Sequence, residues 1–243
     1  MPFIFGTMKM TMMRFQLMLA PMERIATAPF RTLCYRNGAD LTFSENARVA
    51  NLARKKRGEM EMICIEDGTP TQIQLSGARL ADYEKFLSQF KPQEGFRGFN
   101  LNLGCPAPSY IRQGIGAAMV KRVSRTDEIV RLIQKAGHEC SIKMRLGENR
   151  YEKDKEAYLN LIKNVDALFF AVHARTAEQT MKDPVDFGIY ASCKDTGKNI
   201  VANGDIRTLG QLIEFKKMGL YGAMIGRAAR VDPGIFRLKD RLD

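Results

Sequence analysis

The residue in this chain best placed to do chemistry is a cysteine set in a glycine-rich loop. The stretch reads Leu101-Asn102-Leu103-Gly104-Cys105-Pro106-Ala107-Pro108 and runs on to Gly114-Ile115-Gly116-Ala117. An apolar run ends at Gly-Cys-Pro, which predicts a strand delivering Cys105 into a constrained loop. No neighbouring cysteine is there to oxidise it or to share a metal, and a lone thiol so placed suits a proton donor or a nucleophile. The position suits a small buried hydrophobe equally well, because free cysteines are among the most buried residues.

Other reactive types follow the same habit of closing an apolar run. Lys143 and Arg145 follow one, His173 and Arg175 another, and Asn203-Gly204-Asp205 and Gly226-Arg227 two more. A lysine on an apolar strand is costly to bury without an anionic or carbonyl partner, which an ordinary salt bridge would also supply. His173 has a core reading too, as a hydrogen-bonded histidine. Asn203-Gly204-Asp205 alone reads as a tight turn. Paired with Gly226-Arg227, it reads as a phosphate cradle, in which glycines let the backbone approach an anion.

The elements that must position these residues come from short apolar segments at regular intervals. Strands are expected at 16–20, 40–43, 72–75, 99–103, 141–144, 167–172, 200–202 and 223–225, as continuous apolar runs covered on both faces. Segments with helical spacing lie between them, at 82–90, 126–136, 158–163 and 209–218, the last followed by Gly219 as a stop. Eight strands with intervening helices in one 243-residue chain predict a single (β/α)8 TIM barrel. A doubly wound sheet would carry Gly-x-Gly-x-x-Gly after its first strand, where this chain has Ala20-Pro21-Met22. Residues 1–14 read as a Met-rich tail and 15–243 as the barrel. In such a barrel the carboxyl ends of the strands carry function, so Pro21-Met22-Glu23, Gln74, Asn102 and Cys105, Lys143 and Arg145, His173 and Arg175, Asn203-Gly204-Asp205 and Gly226-Arg227 would share one mouth.

Composition narrows the classes. At 45% hydrophobic and 27% charged, the chain can bury a large core, and no apolar run approaches the roughly 20 residues of a membrane span. The opening segment lacks a signal-peptide pattern. Five scattered cysteines, two histidines and no C-x-x-C leave no zinc-binding pattern, so no metal is expected and a reducing cytoplasm is the natural setting. A formal net charge of +11 favours a polyanionic partner.

Together these clusters resemble the tRNA-dihydrouridine synthases, FMN enzymes built on this barrel. The resemblance rests on Leu19-Ala20-Pro21-Met22, Gln74-Leu75-Ser76-Gly77, Asn102-Leu103-Gly104-Cys105-Pro106, Gly114-Ile115-Gly116-Ala117, Lys143-Met144-Arg145-Leu146-Gly147, His173-Ala174-Arg175-Thr176, Asn203-Gly204-Asp205-Ile206 and Met224-Ile225-Gly226-Arg227, taken in order. It implies reduction of a tRNA uridine to 5,6-dihydrouridine, with NADPH reloading the flavin. Hydride from the flavin would enter at C6, and Cys105 would give a proton to C5. A thiol, with an ordinary pKa of about 8.5, keeps its proton near neutrality and can still give it up.

The resemblance also assigns Pro21, Met22 and Glu23 to the flavin ring and Gln74 to its pyrimidine edge. Lys143 and His173 would lie near the N1 and O2 side, and Asn203, Gly204, Asp205, Gly226 and Arg227 at the phosphate. Asn102 and Arg145 are the candidates for uracil's polar edge. Two departures stand out. The segment Glu178-Gln179-Thr180-Met181-Lys182-Asp183 replaces a stretch where the family commonly has tyrosine and glycine, and Ala228-Ala229-Arg230 follows Arg227 where another glycine is usual. The expectation is a barrel without the further helical domain of typical members, because the sequence runs out soon after the eighth helix. Two other functions fit parts of the pattern: an FMN enzyme acting on a free pyrimidine, of the dihydroorotate dehydrogenase type, and a catalytically idle RNA-binding barrel.

Overall fold

The computed structural model describes residues 14–242, so the tail expected at 1–14 falls outside it except for Arg14. Nine strands occur in chain order: β1 (Gln16–Leu19), β2 (Thr42–Phe43), β3 (Ala47–Arg48), β4 (Thr71–Ser76), β5 (Phe96–Leu103), β6 (Cys140–Met144), β7 (Phe170–His173), β8 (Ile200–Asn203) and β9 (Gly222–Ile225). All pairings are parallel, from β4 in sequence to β9 and from β9 back to β1. β2 and β3 both pair with β4, Thr42 opposite Thr71 and Ala47 opposite Leu75. They are two pieces of one stave, interrupted at residues 44–46.

Closure comes from the backbone. Asp40 N–H donates to the Leu17 carbonyl at 2.7 Å and Leu19 N–H to the Leu41 carbonyl at 3.0 Å. The result is the expected eight-staved (β/α) barrel. The expected strand at 40–43 shortens to Thr42–Phe43, because Asp40 and Leu41 are taken up by this closure with β1.

The helices are amphipathic and pack on the outer faces of the strands. Helix Val123–Lys135 buries Ile129, Val130 and Ile133 and begins three residues before the expected start, with Thr126 buried inside it. Helix Leu80–Leu87 ends earlier than expected, and Phe90 instead joins Phe96, Phe99 and His138 in an edge-to-face aromatic cluster. Helix Leu209–Lys217 starts on a reciprocal capping box between Thr208 and Gln211.

The strands are not all continuously apolar, and the reason lies inside the barrel. In β4 and β5 Ile73, Leu75, Phe99, Leu101 and Leu103 join the core shared with the helices. The alternate residues Gln72, Gln74 and Asn100, with Ser141 of β6, are polar and no more than 2% exposed. Across the interior, Met18, Ala20, Phe43, Phe169, Ala171, Val201 and Met224 form a separate apolar cluster. One half of the barrel lumen is therefore polar and the other apolar.

The β1–β9 seam depends on Gly222, whose missing Cβ would collide with the Gln16 carbonyl oxygen and come within 3.0 Å of Gln16 Cβ. Gly222→Ala is expected to destabilise the barrel by about 1–3 kcal/mol, the usual cost of overpacking. Urea unfolding would show this as a lowered midpoint with an unchanged slope.

Candidate active site

The Cys105 loop hangs from a buried chain of amides. Gln72 Oε1 accepts from the Ser141 hydroxyl, which accepts from Asn100 Nδ2 at 2.7 Å. Asn100 Oδ1 in turn accepts from Gln74 Nε2 at 2.8 Å, and Gln74 Oε1 accepts from Asn102 Nδ2 at 3.2 Å. Asn102 Oδ1 then accepts the backbone N–H groups of Gly104 and Cys105, both at 3.0 Å. The chain climbs the polar half of the lumen and ends on the loop that bears the thiol.

The glycine-rich continuation folds underneath. Ala117 N–H donates to the Cys105 carbonyl at 3.0 Å. Gly116 has φ +63°, and a Cβ there would lie 2.6 Å from that carbonyl oxygen. Only glycine fits so close a crossing.

On the other side of the mouth, the ends of β8 and β9 with the start of the segment after β1 enclose a cavity of about 170 Å³. Lys143, Arg207 and Arg227 line it, and Asp205 is the one carboxylate among its lining residues. Asp205 ion-pairs Arg175 at 2.5 Å and also Arg227 and Arg207. Burial opposes ionisation of this carboxylate, but the hydrogen bond and charge of Arg175, with Arg227 and Arg207, outweigh it and leave the pKa below the ordinary value. Gly204 has φ +114°, and a Cβ there would lie 2.7 Å from His173 Cδ2. The glycine lets the histidine ring lie against the turn.

The cationic cavity and the Cys105 cleft, about 560 Å³, share Pro21, Lys143 and His173. His173 is neutral at any physiological pH: burial, then Lys143, Arg145, Arg175 and Arg227, push its pKa down to about 2. Arg175, 2% exposed, places Nη1 3.3 Å from His173 Nε2. A guanidinium only donates, so Nε2 is the bare nitrogen and the proton sits on Nδ1. The Lys143 ammonium makes no hydrogen bond or ion pair with any described residue, and burial followed by Arg145 brings its pKa down to about 8.

Every residue expected at the mouth lines one of these two spaces except Arg175, which is buried behind His173 and Asp205. Met22, Asn203, Gly204, Asp205, Gly226 and Arg227 fall in the cationic cavity. Glu23, Gln74, Asn102, Cys105 and Arg145 fall in the cleft. Several of these side chains are already hydrogen-bonded within the protein. Asn203 spends its amide N–H on the Met224 carbonyl at 2.8 Å, and the amides of Gln74 and Asn102 are joined in the chain beneath Cys105. Arg145 Nη1 donates to the carbonyls of Thr176 and Gln179, so the divergent segment after His173 holds this arginine in the cleft.

Sequence reasoning missed Asn46, Arg48, Glu59, Tyr110 and Arg207. Asn46 and Arg48 sit just before and on a two-residue strand with no apolar run to announce it, and Glu59 lies in the short helix Arg57–Met62 beyond it. Tyr110 lies in a short helix, Pro108–Arg112, just after the cysteine.

The family model described as dihydrouridine synthase matches residues 18–243. The chain belongs to the dihydrouridine synthase family. It is 27% identical over 229 residues to tRNA-dihydrouridine synthase B of Pseudomonas putida, covering 93% of this chain and 68% of that one. A probable tRNA-dihydrouridine synthase of Helicobacter pylori is 30% identical, with 90% of this chain and 68% of that one covered. The tRNA-dihydrouridine synthase B of Escherichia coli is 27% identical, with 93% of this chain and 71% of that one covered. Among solved structures, N-(5'-phosphoribosyl)anthranilate isomerase from Pyrococcus furiosus superposes with a TM-score of 0.51 at 10% identity, covering 93% of this chain and 99% of that one, a likeness of fold alone.

For this member of the family, the unpartnered Lys143 sets a testable balance between stability and anion binding. Its folded pKa lies below the unfolded one, so the unfolded chain holds the extra proton between about pH 8 and 10.5. Stability therefore rises with pH across that window and is lowest below it. Lys143→Met is expected to stabilise the ligand-free protein at pH 7 by on the order of 1–3 kcal/mol. The advantage should vanish above pH 10.5, as urea titrations at both pH values would show.

Proposed function

We propose that this protein reduces uridine in tRNA to 5,6-dihydrouridine, using FMN reloaded by NADPH, with Cys105 as the acid that protonates C5. The observation that carries the proposal is the wall of Lys143 and His173 between a cationic cavity and the cleft of a lone cysteine. The family is flavin-dependent, and the residues here fit a flavin mononucleotide. Three cations against one carboxylate line the small cavity, a surplus that matches a phosphate monoester of nearly two negative charges. Gly204, Asp205, Gly226, Arg207 and Arg227 would hold that phosphate, with Pro21 and Met22 along the ring. When bound, FMN would supply the hydride that reduces the 5,6 double bond at C6.

The remaining work belongs to the chain's own residues. Asn102 fixes the backbone of Cys105 through two N–H groups, which sets where the sulfur can reach. Charge builds on the C4 carbonyl side of the base as the double bond is reduced, and the proton on the Cys105 sulfur quenches it at C5. Arg145, held by two backbone carbonyls and still lining the cleft, is placed to donate to a uracil carbonyl. The Lys143 ammonium stands at the shared wall, where a positive charge opposes negative charge on either side. Neutral His173 adds a ring N–H donor there without adding charge.

The +11 net charge draws a polyanion to the barrel surface, and a tRNA enzyme of this kind works in the cytoplasm. Among the described residues no helix is long and apolar enough to cross a membrane, and no cluster of metal-ligating side chains occurs.

The purified protein is expected to bind FMN and turn yellow. Cys105→Ala should keep the flavin and its reduction by NADPH but lose at least about 100-fold in dihydrouridine formed on unmodified tRNA, the lower range for loss of a general acid. Unchanged product would rule out the thiol as the acid. Affinity for tRNA should fall steeply with salt in filter-binding assays, whereas a flat response would point to a free pyrimidine as substrate.

A further inference from the structure

We propose that Arg48 and Tyr110 form a stacking subsite for an unpaired nucleobase of the RNA, next to the uridine that is reduced. The proposal rests on the uridine-reductase reading of the cleft and adds a recognition element to it. Arg48 closes β3, the second piece of the interrupted stave, and Tyr110 belongs to the short helix after Cys105. Both line the Cys105 cleft. The guanidinium carbon of Arg48 lies 4.7 Å from the centroid of the Tyr110 ring, within reach of a cation–π contact.

The pair is held in place from several sides. Arg48 N–H donates to Glu59 Oε2 at 2.7 Å, while Glu59 Oε1 accepts from Asn51 Nδ2 at 2.8 Å. Arg48 Nη1 donates to Gln113 Oε1 at 3.1 Å. The Tyr110 hydroxyl accepts from Asn46 Nδ2 at 2.8 Å, and Asn46 Oδ1 accepts from Asn102 Nδ2 at 3.0 Å. The ring is thereby tied to the residue that fixes Cys105. It is also close to the cysteine in space: a Cβ on Gly116 would lie 3.1 Å from Cys105 Cβ and 3.3 Å from Tyr110 Cδ1.

The side chain of Arg48 is otherwise uncommitted. It forms no ion pair among the described residues, since the nearby Glu59 carboxylate is spent on a backbone N–H and an amide. Nε and Nη2 remain free to donate. A pre-stacked, half-exposed guanidinium beside the thiol offers one flat cationic face and two donors. Unpaired RNA bases are gripped by stacking on such planes, and their phosphates accept from such donors. A substrate that extends past the reacting ring can use this face.

The test measures binding of a fluorescein-labelled, unmodified tRNA transcript by anisotropy, with flavin-loaded wild type, Arg48→Ala, Arg48→Lys and Tyr110→Leu. All three variants should bind roughly tenfold more weakly. In turnover assays of the two Arg48 variants KM should rise by the same factor while kcat at saturating tRNA stays unchanged. Arg48→Lys keeps the charge and loses the plane, so wild-type affinity in that variant would overturn the stack, as would unchanged affinity in all three. Transcripts with single abasic sites flanking the reduced uridine locate the base. One such site should weaken wild type about tenfold and cost Arg48→Ala nothing further, and additive losses at every site would overturn the proposal. Absence of dihydrouridine from the wild-type reaction would instead strike the reductase reading, with the anisotropy series still deciding the stack.

Discussion

A line of hydrogen-bonded amides through the polar half of the lumen determines where the reactive sulfur can be. Each link up to Gln74 is buried, the last, Asn102, is half-buried, and each spends its donor or acceptor on the next, from Gln72 through Ser141, Asn100 and Gln74. Removing one partner would leave a buried polar group unsatisfied, at about 1–3 kcal/mol, and would loosen every link above it. The rest of the lumen respects this arrangement. Among the described residues, the buried side-chain atoms lacking a partner are Arg31 Nε, Thr126 Oγ1 and Asp127 Oδ1, all on helices outside the barrel. No amide or hydroxyl of the polar lumen is among them.

The opposite side of the mouth is built on the reverse principle. There, charge is left in excess: Asp205 neutralises part of a group of arginines, and Lys143 has no hydrogen-bond or ion-pair partner among the described residues. Such a site is costly to the empty protein and well suited to an anion, because its donors are already in place when the anion arrives. His173 can lie among these cations because it stays uncharged. Satisfied amides thus hold the thiol, and a surplus of cations faces the opposite cavity.

Much of this was legible in the sequence, and the exceptions have physical causes. The strand-end residues from Pro21 to Arg227, Arg175 apart, line the two spaces at the mouth because β/α periodicity fixes which end of each strand faces it. The polar interior was also written in the chain, as Gln72-Ile73-Gln74-Leu75 and Phe99-Asn100-Leu101-Asn102, an alternation that a search for continuous apolar runs overlooks. β3 left no such mark. Two residues long and paired only with β4, it is created by its neighbour, so Asn46 and Arg48 were invisible as site residues. Likewise, the roles of Asn102 and Gln74 as supports for the loop depend on contacts between strands, which no single segment encodes.

The break in the second stave has a consequence for how such a molecule can diversify. The cationic cavity draws on β7, β8, β9 and the end of β1, whereas the cleft rim beside Cys105 draws on β3 and the loop after β5. These are different arcs of the same circle, joined chiefly by Pro21, Lys143 and His173. Residues on the interrupted arc can therefore vary without touching the cationic arc. Under the proposed activity, the contour of nucleic acid that is accepted and the grip on the cofactor are set by separate groups of strands.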